Sequence, residues 1–328
     1  MGTANVIWVY AELSGKEPKK IALELMTKAR ELAEAMGGSA AAVVLGTGAR
    51  TAAEKLAQHG ASVVYVAEDE RFGNVLTTPH ADALSGLIKE KSPRAVLFGA
   101  TNSSKDIAAR VSARLGLGVI ADAIAIQVNG NELHVVNPAF GGSLLVTSTF
   151  TDANTAFIIA RAKAFAAEER PQPLKIEEVK PVYTAAPQAR ITGAVAQPEA
   201  RVSLEEANVI VSGGRGLGAP ENFKLVEELA QAFEAAVGAS RAAVDAGWIS
   251  YPHQVGQTGK TVKPKVYIAC GISGAIQHKV GMQTSDIIIA INKDPDAPIF
   301  SFADLGVVGD LHQIVPLLAK EIRKRKGA

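Results

Sequence analysis

From residue 5 onward, short runs of β-branched and other apolar residues alternate with longer runs whose apolar positions recur at helical spacing. Extended runs occupy 5–10, 40–45, 62–67 and 95–99, and helical runs occupy 18–36, 51–59, 77–91 and 103–115. A short apolar run without polar alternation is buried on both faces, and a helix between successive strands makes them parallel. Right-handed crossovers then place helices on both sides of one sheet. The chain is therefore an α/β protein. Its 30 glycines, with 5% aromatic residues among 48% hydrophobic ones, suit such sheets.

After residue 115 the rhythm changes. Strand-like segments at 120–128, 132–136, 143–150 and 155–160 follow one another with little helix between them, which predicts antiparallel strands appended to the parallel sheet. Asn129-Gly130 is a hairpin turn signal. Between Glu168 and Glu206 lie five of the 15 prolines, with mixed charge and no sustained period, and this stretch reads as a linker. A smaller α/β unit follows, with strands at 208–211, 266–269 and 286–291 and helices at 221–233, 274–281 and from about 311. The expected division is an N-terminal α/β domain over 1–190, a linker ending over 191–206 and a second domain over 207–328. The basic residues at 320–326 complement the dipole of the closing helix and carry no function of their own.

The length, 328 residues, fits about two domains at roughly 150 residues each. Lysine plus arginine is 34 against 33 acids, so the basic excess of a nucleic-acid binder is missing. A single cysteine, Cys270, allows no internal disulfide or multi-cysteine metal site and fits a reducing compartment. The first ten residues lack a basic leader and a cleavage site, so neither a signal nor a transit peptide is seen. Glycine and Asp122 interrupt the apolar stretch 115–128 well short of the ~18 residues that cross a bilayer. A soluble, cytoplasmic bacterial protein that is not embedded in a membrane and binds no nucleic acid is expected.

Gly213-Gly214-Arg215-Gly216-Leu217-Gly218-Ala219 follows a strand and precedes a helix, and Gly214, Gly216 and Ala219 fit the loose G-x-G-x-x-A dinucleotide spacing. The glycines there allow close ligand approach, or only a tight turn. The acid expected about 20 residues onward is absent, which disfavours an ordinary NAD(P) site. The strand-turn-helix arrangement recurs from Val266 to His278, where free N–H groups at Ser273, Gly274, Ala275 and Ile276 would face a pyrophosphate. Gln254-Val255-Gly256-Gln257-Thr258-Gly259-Lys260 joins two elements but lacks the earlier glycine of a phosphate loop, so an ATPase is rejected. Asn292 ends a buried strand, where open α/β sheets bind ligands, and Asp310 occupies a similar turn before the last helix.

The catalytic inventory is thin. His59, His80, His134, His253, His278 and His312 show no zinc spacing, and Cys270 at a strand end reads as a structural thiol. No metal site and no catalytic residue are assigned.

Together, Val211 to Gly216, Val237 to Asp245, Gln254 to Lys260, Gly271 to His278 and Ala290 to Asp294 resemble the electron-transfer flavoprotein alpha subunit, a family that includes FixB. The first half of the chain matches it in pattern and length. The resemblance implies an N-terminal Rossmann-like α/β domain with added antiparallel strands, facing a beta subunit, and a C-terminal doubly wound FAD-binding domain. It implies a heterodimer, with AMP or a second FAD in the beta subunit. Electrons would pass from acyl-CoA and other dehydrogenases, as in fatty acid oxidation, to a membrane quinone oxidoreductase. Such a chain is an electron carrier without substrate chemistry of its own.

By the same resemblance, the FAD-lining positions are Arg215, Ser240, Arg241, Val255, Gly256, Gln257, Thr258, Gly271, Ser273, Gly274, Ala275, Ile276, Gln277, His278, Asn292, Asp310 and Leu311, with Gln254 and Asp310 near the ribityl or adenosine portion. Arg241 and His278 are expected beside the N1/C2 edge, where reduction places negative charge, and Thr258 at N5. A carrier must set flavin potentials without supplying an acid or base, which accounts for the thin inventory. Two other readings stay open: a subunit of a flavin-based bifurcating complex, and a nucleotide-binding regulatory module without redox turnover.

Overall fold

The apolar runs of the first half become a seven-stranded sheet in the computed structural model, which describes residues 5–151, 155–184, 189–193 and 203–327. Its order is Ile176–Glu178, Val63–Ala67, Ser39–Leu45, Val6–Tyr10, Ala95–Gly99, Ala156–Ala160, Val119–Ala123, and every neighbouring pair is parallel. Successive residues point to opposite faces. Ile7, Leu97 and Ile158 therefore pack with Leu25 and Met26 of helix Lys20–Ala35, whereas Trp8, Phe98 and Phe157 pack with Leu84 and Ile107 of helices Thr78–Lys91 and Asn102–Leu115. The Thr101 hydroxyl caps the last of these helices by accepting from Ser104 N at 3.1 Å.

Two expectations are corrected. Of the four segments read as antiparallel, Val119–Ala123 and Ala156–Ala160 run parallel within the main sheet. The run 120–128 breaks near Asp122, which takes a left-handed φ of 63° and holds Arg161 through both carboxylate oxygens, Nη2 to Oδ2 at 2.7 Å. Beyond it, Ala125–Asn129, Glu132–Ala139 and Leu144–Ser148 form a separate three-stranded antiparallel sheet. In its hairpin Asn129 pairs with Glu132, so the loop is Gly130-Asn131, with φ 60° at Gly130.

The proline-rich stretch is also not wholly a linker. Ile176–Glu178 is an edge strand against Val64, Tyr65 and Val66, Arg170 N and Gln172 N donate to Gln58 O and Ala57 O, and Thr184 Oγ1 donates to Asp82 at 3.0 Å. These backbone bonds need no apolar pattern, which is why composition alone misread them. The rest of that stretch at 185–188 and 194–202 lies outside the described residues.

The chain divides into two units, Met1–Val195 and Ala196–Ala328. The second contains a five-stranded parallel sheet ordered Ala236–Ala239, Val209–Gly213, Val266–Cys270, Ile287–Asn292, Leu305–Val308. The chain runs outward in opposite directions from Val209–Gly213, so a topological switch point lies between that strand and Val266–Cys270. The first and last strands, four residues each, were not expected from the sequence. Asp310 caps helix Leu311–Lys326 by accepting from His312 N at 2.9 Å, and four basic residues fill its last turn. No helix among the described residues is long and apolar enough to cross a membrane.

Phe157 is fully buried, edge-on to Phe98 with ring centroids 5.4 Å apart. Phe157→Ala should lower unfolding free energy by about 3–5 kcal/mol. Phe140→Ala, at a side chain 82% exposed, should leave the urea midpoint within error.

Candidate functional site

The strands Val209–Gly213 and Val266–Cys270 release their turns side by side. Gly214 N donates to Cys270 O and Gly216 N to Gly271 O, each at 2.9 Å. A Cβ at Gly214 would collide with the Gly271 carbonyl oxygen, and one at Gly216 would lie 2.7 Å from Gly271 Cα. Gly271 itself has φ 65°. Leu217 N and Gly218 N are also spent, on Gly214 O and Arg215 O. The glycines of the first turn are therefore needed to admit the neighbouring turn, while Arg215 and Gly216 also reach the cleft described below.

The second turn is different. Among the described residues, the backbone N–H groups at 273–277 donate to no protein acceptor. Gly274, at φ 86°, sits against Ile299, whose N–H donates to Ser273 O at 3.0 Å, and this contact holds the turn open-faced. Helix Ile276–Met282 begins there with no side-chain cap.

Both turns border a cleft of about 640 Å³, within the usual range of ligand sites. Of the expected residues, Arg215, Ser240, Arg241, Gly271, Ser273, Ala275, Gln277, His278 and Asn292 line it. Gly216, Ala242, Asp245, Ile272, Asp294, Ala297 and Pro298 complete the wall. The last three follow the carboxyl end of Ile287–Asn292, so the strand-end rule that flagged Asn292 extends to them.

Gly274 and Ile276 belong to the second turn, and the other expected residues are not on this lining. Gln254 is buried and its Nε2 donates to Thr258 Oγ1 at 3.0 Å, while the Thr258 carbonyl accepts from the Tyr251 hydroxyl. Val255 is in the hydrophobic core, Gly256 abuts the Gln277 carbonyl, and Gln257 N donates to that carbonyl at 2.7 Å. This loop buttresses helix Ile276–Met282. Ile276 is solvent-exposed, Asp310 is spent on its cap, and Leu311 packs in the core where a Cβ on Gly271 would meet it.

The charges of the cleft are unequal. Arg241 Nε pairs with Asp245 Oδ2 at 3.2 Å, both side chains being exposed, whereas Arg215 has no ion pair among the described residues. Asn292 is fixed at both ends, donating to Ile272 O at 3.0 Å and accepting from Asp294 N at 3.1 Å. Ser240 Oγ and His278 Nδ1 are buried and meet no hydrogen-bond partner of good geometry among the described residues. Burial pushes His278 from its usual 6.5 down to about 4, so the imidazole is neutral; the Val255 backbone opposes this without cancelling it. Burial also pushes the sealed Cys270 thiol up to about 12.

Residues 7–188 match the electron transfer flavoprotein domain and 203–283 match the electron transfer flavoprotein FAD-binding domain. An electron transfer flavoprotein subunit alpha from Thermoanaerobacterium thermosaccharolyticum is 42% identical over 324 residues, 98% of each chain. The chain belongs to the electron transfer flavoprotein alpha subunit family. The subunit alpha of Mycobacterium tuberculosis is 46% identical, covering 94% of this chain and 95% of its own, and protein FixB of Clostridium saccharobutylicum is 41% identical over 96% of each. FAD is the cofactor of the C-terminal domain, and the matched region contains both turns and His278.

Two outcomes follow from this geometry. Gly216→Ala forces the turns apart and should lower the thermal midpoint of the C-terminal unit together with its retention of FAD, read by calorimetry and flavin absorbance. His278 gains a proton on unfolding between about pH 6.5 and 4, so its contribution is complete above 6.5 and is lost as pH falls toward 4. His278→Asn should flatten the acid limb of a stability profile by up to about 3 kcal/mol.

Proposed function

We propose that the cleft holds FAD and that the chain is the alpha subunit of a heterodimer carrying single electrons from acyl-CoA and other dehydrogenases to a membrane quinone oxidoreductase. The observation that supports this most is the donor set. A row of N–H groups and a buried Ser240 hydroxyl, unpartnered among the described residues, border one cleft with the neutral imidazole of His278 and two arginines. A dinucleotide presents the matching acceptors: a diphosphate for the N–H row and carbonyl edges for the neutral donors.

FAD, when bound, exchanges electrons singly or in pairs. The chain's own residues do the rest. Ser273 to Gln277 orient the diphosphate, Ser240 and His278 supply uncharged donors, and Asn292 keeps the turn at Ile272 in place. Arg241 supplies positive charge that favours a reduced, more negative ligand, and Asp245 tempers it. The N-terminal domain, 1–190, is assigned to the beta subunit, which would hold AMP or a second FAD. Phe140, in the turn between strands Glu132–Ala139 and Leu144–Ser148, and Leu144 and Leu145 on the latter are exposed and support that assignment.

The test is the protein copurified with its companion chain. It should be yellow, and potentiometric titration should rank Arg241→Ala below the native protein and Asp245→Asn above it. A colourless complex that takes up no added FAD would overturn the proposal.

A further inference from the structure

The strand order of the first unit also reverses. From Val6–Tyr10 the chain adds Ser39–Leu45 and Val63–Ala67 on one side and then returns to place Ala95–Gly99 on the other, so a switch point lies between Val6–Tyr10 and Ala95–Gly99. Open α/β sheets hold a ligand's phosphate at such a point, against the start of the helix that follows. Here that position is filled from within. Glu12, two residues beyond the first of these strands, extends to the start of helix Asn102–Leu115, where its Oε2 accepts from the Thr101 hydroxyl and from Ser104 Oγ, the latter at 3.0 Å. Its Oε1 pairs with Lys19 Nζ.

The donors are committed to this carboxylate. Thr101 Oγ1 accepts from Ser104 N and gives its own hydrogen to Glu12, and Ser104 is only 1% exposed. Lys19 is returned to Glu12 by a hairpin in which Leu13 pairs with Pro18 and Ser14 with Glu17, and Lys19 N donates to Glu12 O at 2.9 Å. Gly48 leaves room for that hairpin, since a Cβ there would lie 2.8 Å from Lys16 Cγ. Helix Ala49–Gln58, which starts at the same edge of the sheet, is treated alike: Glu68 Oε1 accepts from Gly48 N and Arg50 N, each at 3.2 Å. Two hydroxyls and an ammonium converging on one oxyanion are the donors a phosphate would use. A carboxylate of the chain itself takes them.

We propose that Glu12 is a built-in anion that occupies the switch-point site of the first unit in place of a phosphate group, and that removing its carboxylate turns the site into a receptor for a free oxyanion. The two units then share a parallel-sheet topology and differ in the source of the anion. In the first it is Glu12; in the second the N–H groups at 273–277 are left for a ligand.

The test uses the full chain with its companion subunit and inorganic phosphate as the probe, at constant ionic strength. Hydrogen exchange is read at the Ser104 and Lys105 amides, which donate to Thr101 Oγ1 and Thr101 O. In the native protein, phosphate should leave both amides unchanged. Glu12→Ala should quicken their exchange at least about tenfold, and phosphate should restore the protection saturably. Glu12→Gln fills the site without a charge, so it should exchange faster than the native protein and not respond to phosphate. Protection by phosphate in the native protein, or a Glu12→Ala protein that phosphate does not protect, overturns the proposal. Should Glu12→Ala fail to fold, the other two proteins decide: protection of either by phosphate overturns it, and faster exchange in Glu12→Gln with no protection in either upholds it. These amides belong to the first unit and are read whether or not the cleft of the second holds FAD, so a colourless complex would sink the FAD reading and leave this result standing.

Discussion

The backbone of Gly216 lies against that of Gly271 with no room for a methyl group between them, and the rest of the C-terminal site depends on that approach. Strands diverge at a switch point, and the gap there is normally available to a ligand. Here the first turn closes part of the gap by hydrogen-bonding to the second, using the N–H groups that a dinucleotide fingerprint would otherwise present. The second turn is thereby fixed from behind, by Gly216 and Leu311, and faces the cleft with its own N–H groups unspent.

The polar groups around that turn divide the electrostatic work. Unspent backbone N–H groups and Arg215 give one part of the cleft a positive potential, and the buried imidazole and hydroxyl are polar without charge. The ion pair Arg241–Asp245 lies at the solvent edge, where a charge is screened and easily modulated. A fully buried arginine would cost more to desolvate and could not be tempered by one carboxylate.

The parallel core was legible because continuous apolar runs such as Ala95–Gly99 can be satisfied only by burial on both faces. Strand direction was not. Ala156–Ala160 is equally apolar whichever way it runs, and only pairing with Ala95–Gly99 settles it. Ile176–Glu178 was hidden among prolines and charges because an edge strand draws its stability from backbone bonds to one neighbour. At the site, Asn292 was readable from a strand end and His278 from its place after the second turn, Ser240 came only from the resemblance, and the crowding at Gly214 and Gly216 was not readable, since it depends on a turn more than 50 residues away. Val255 and Leu311 were placed by resemblance, and the structure puts both side chains in the core.

Cys270 stands at the foot of this arrangement, the only sulfhydryl in the chain, sealed from solvent and held as an unreactive thiol. The natural sequence is in that respect a silent background for chemical tagging. A maleimide dye or spin label offered to a variant with one cysteine introduced on the surface would attach there alone, and a distance recorded from it would need no prior removal of a native sulfur.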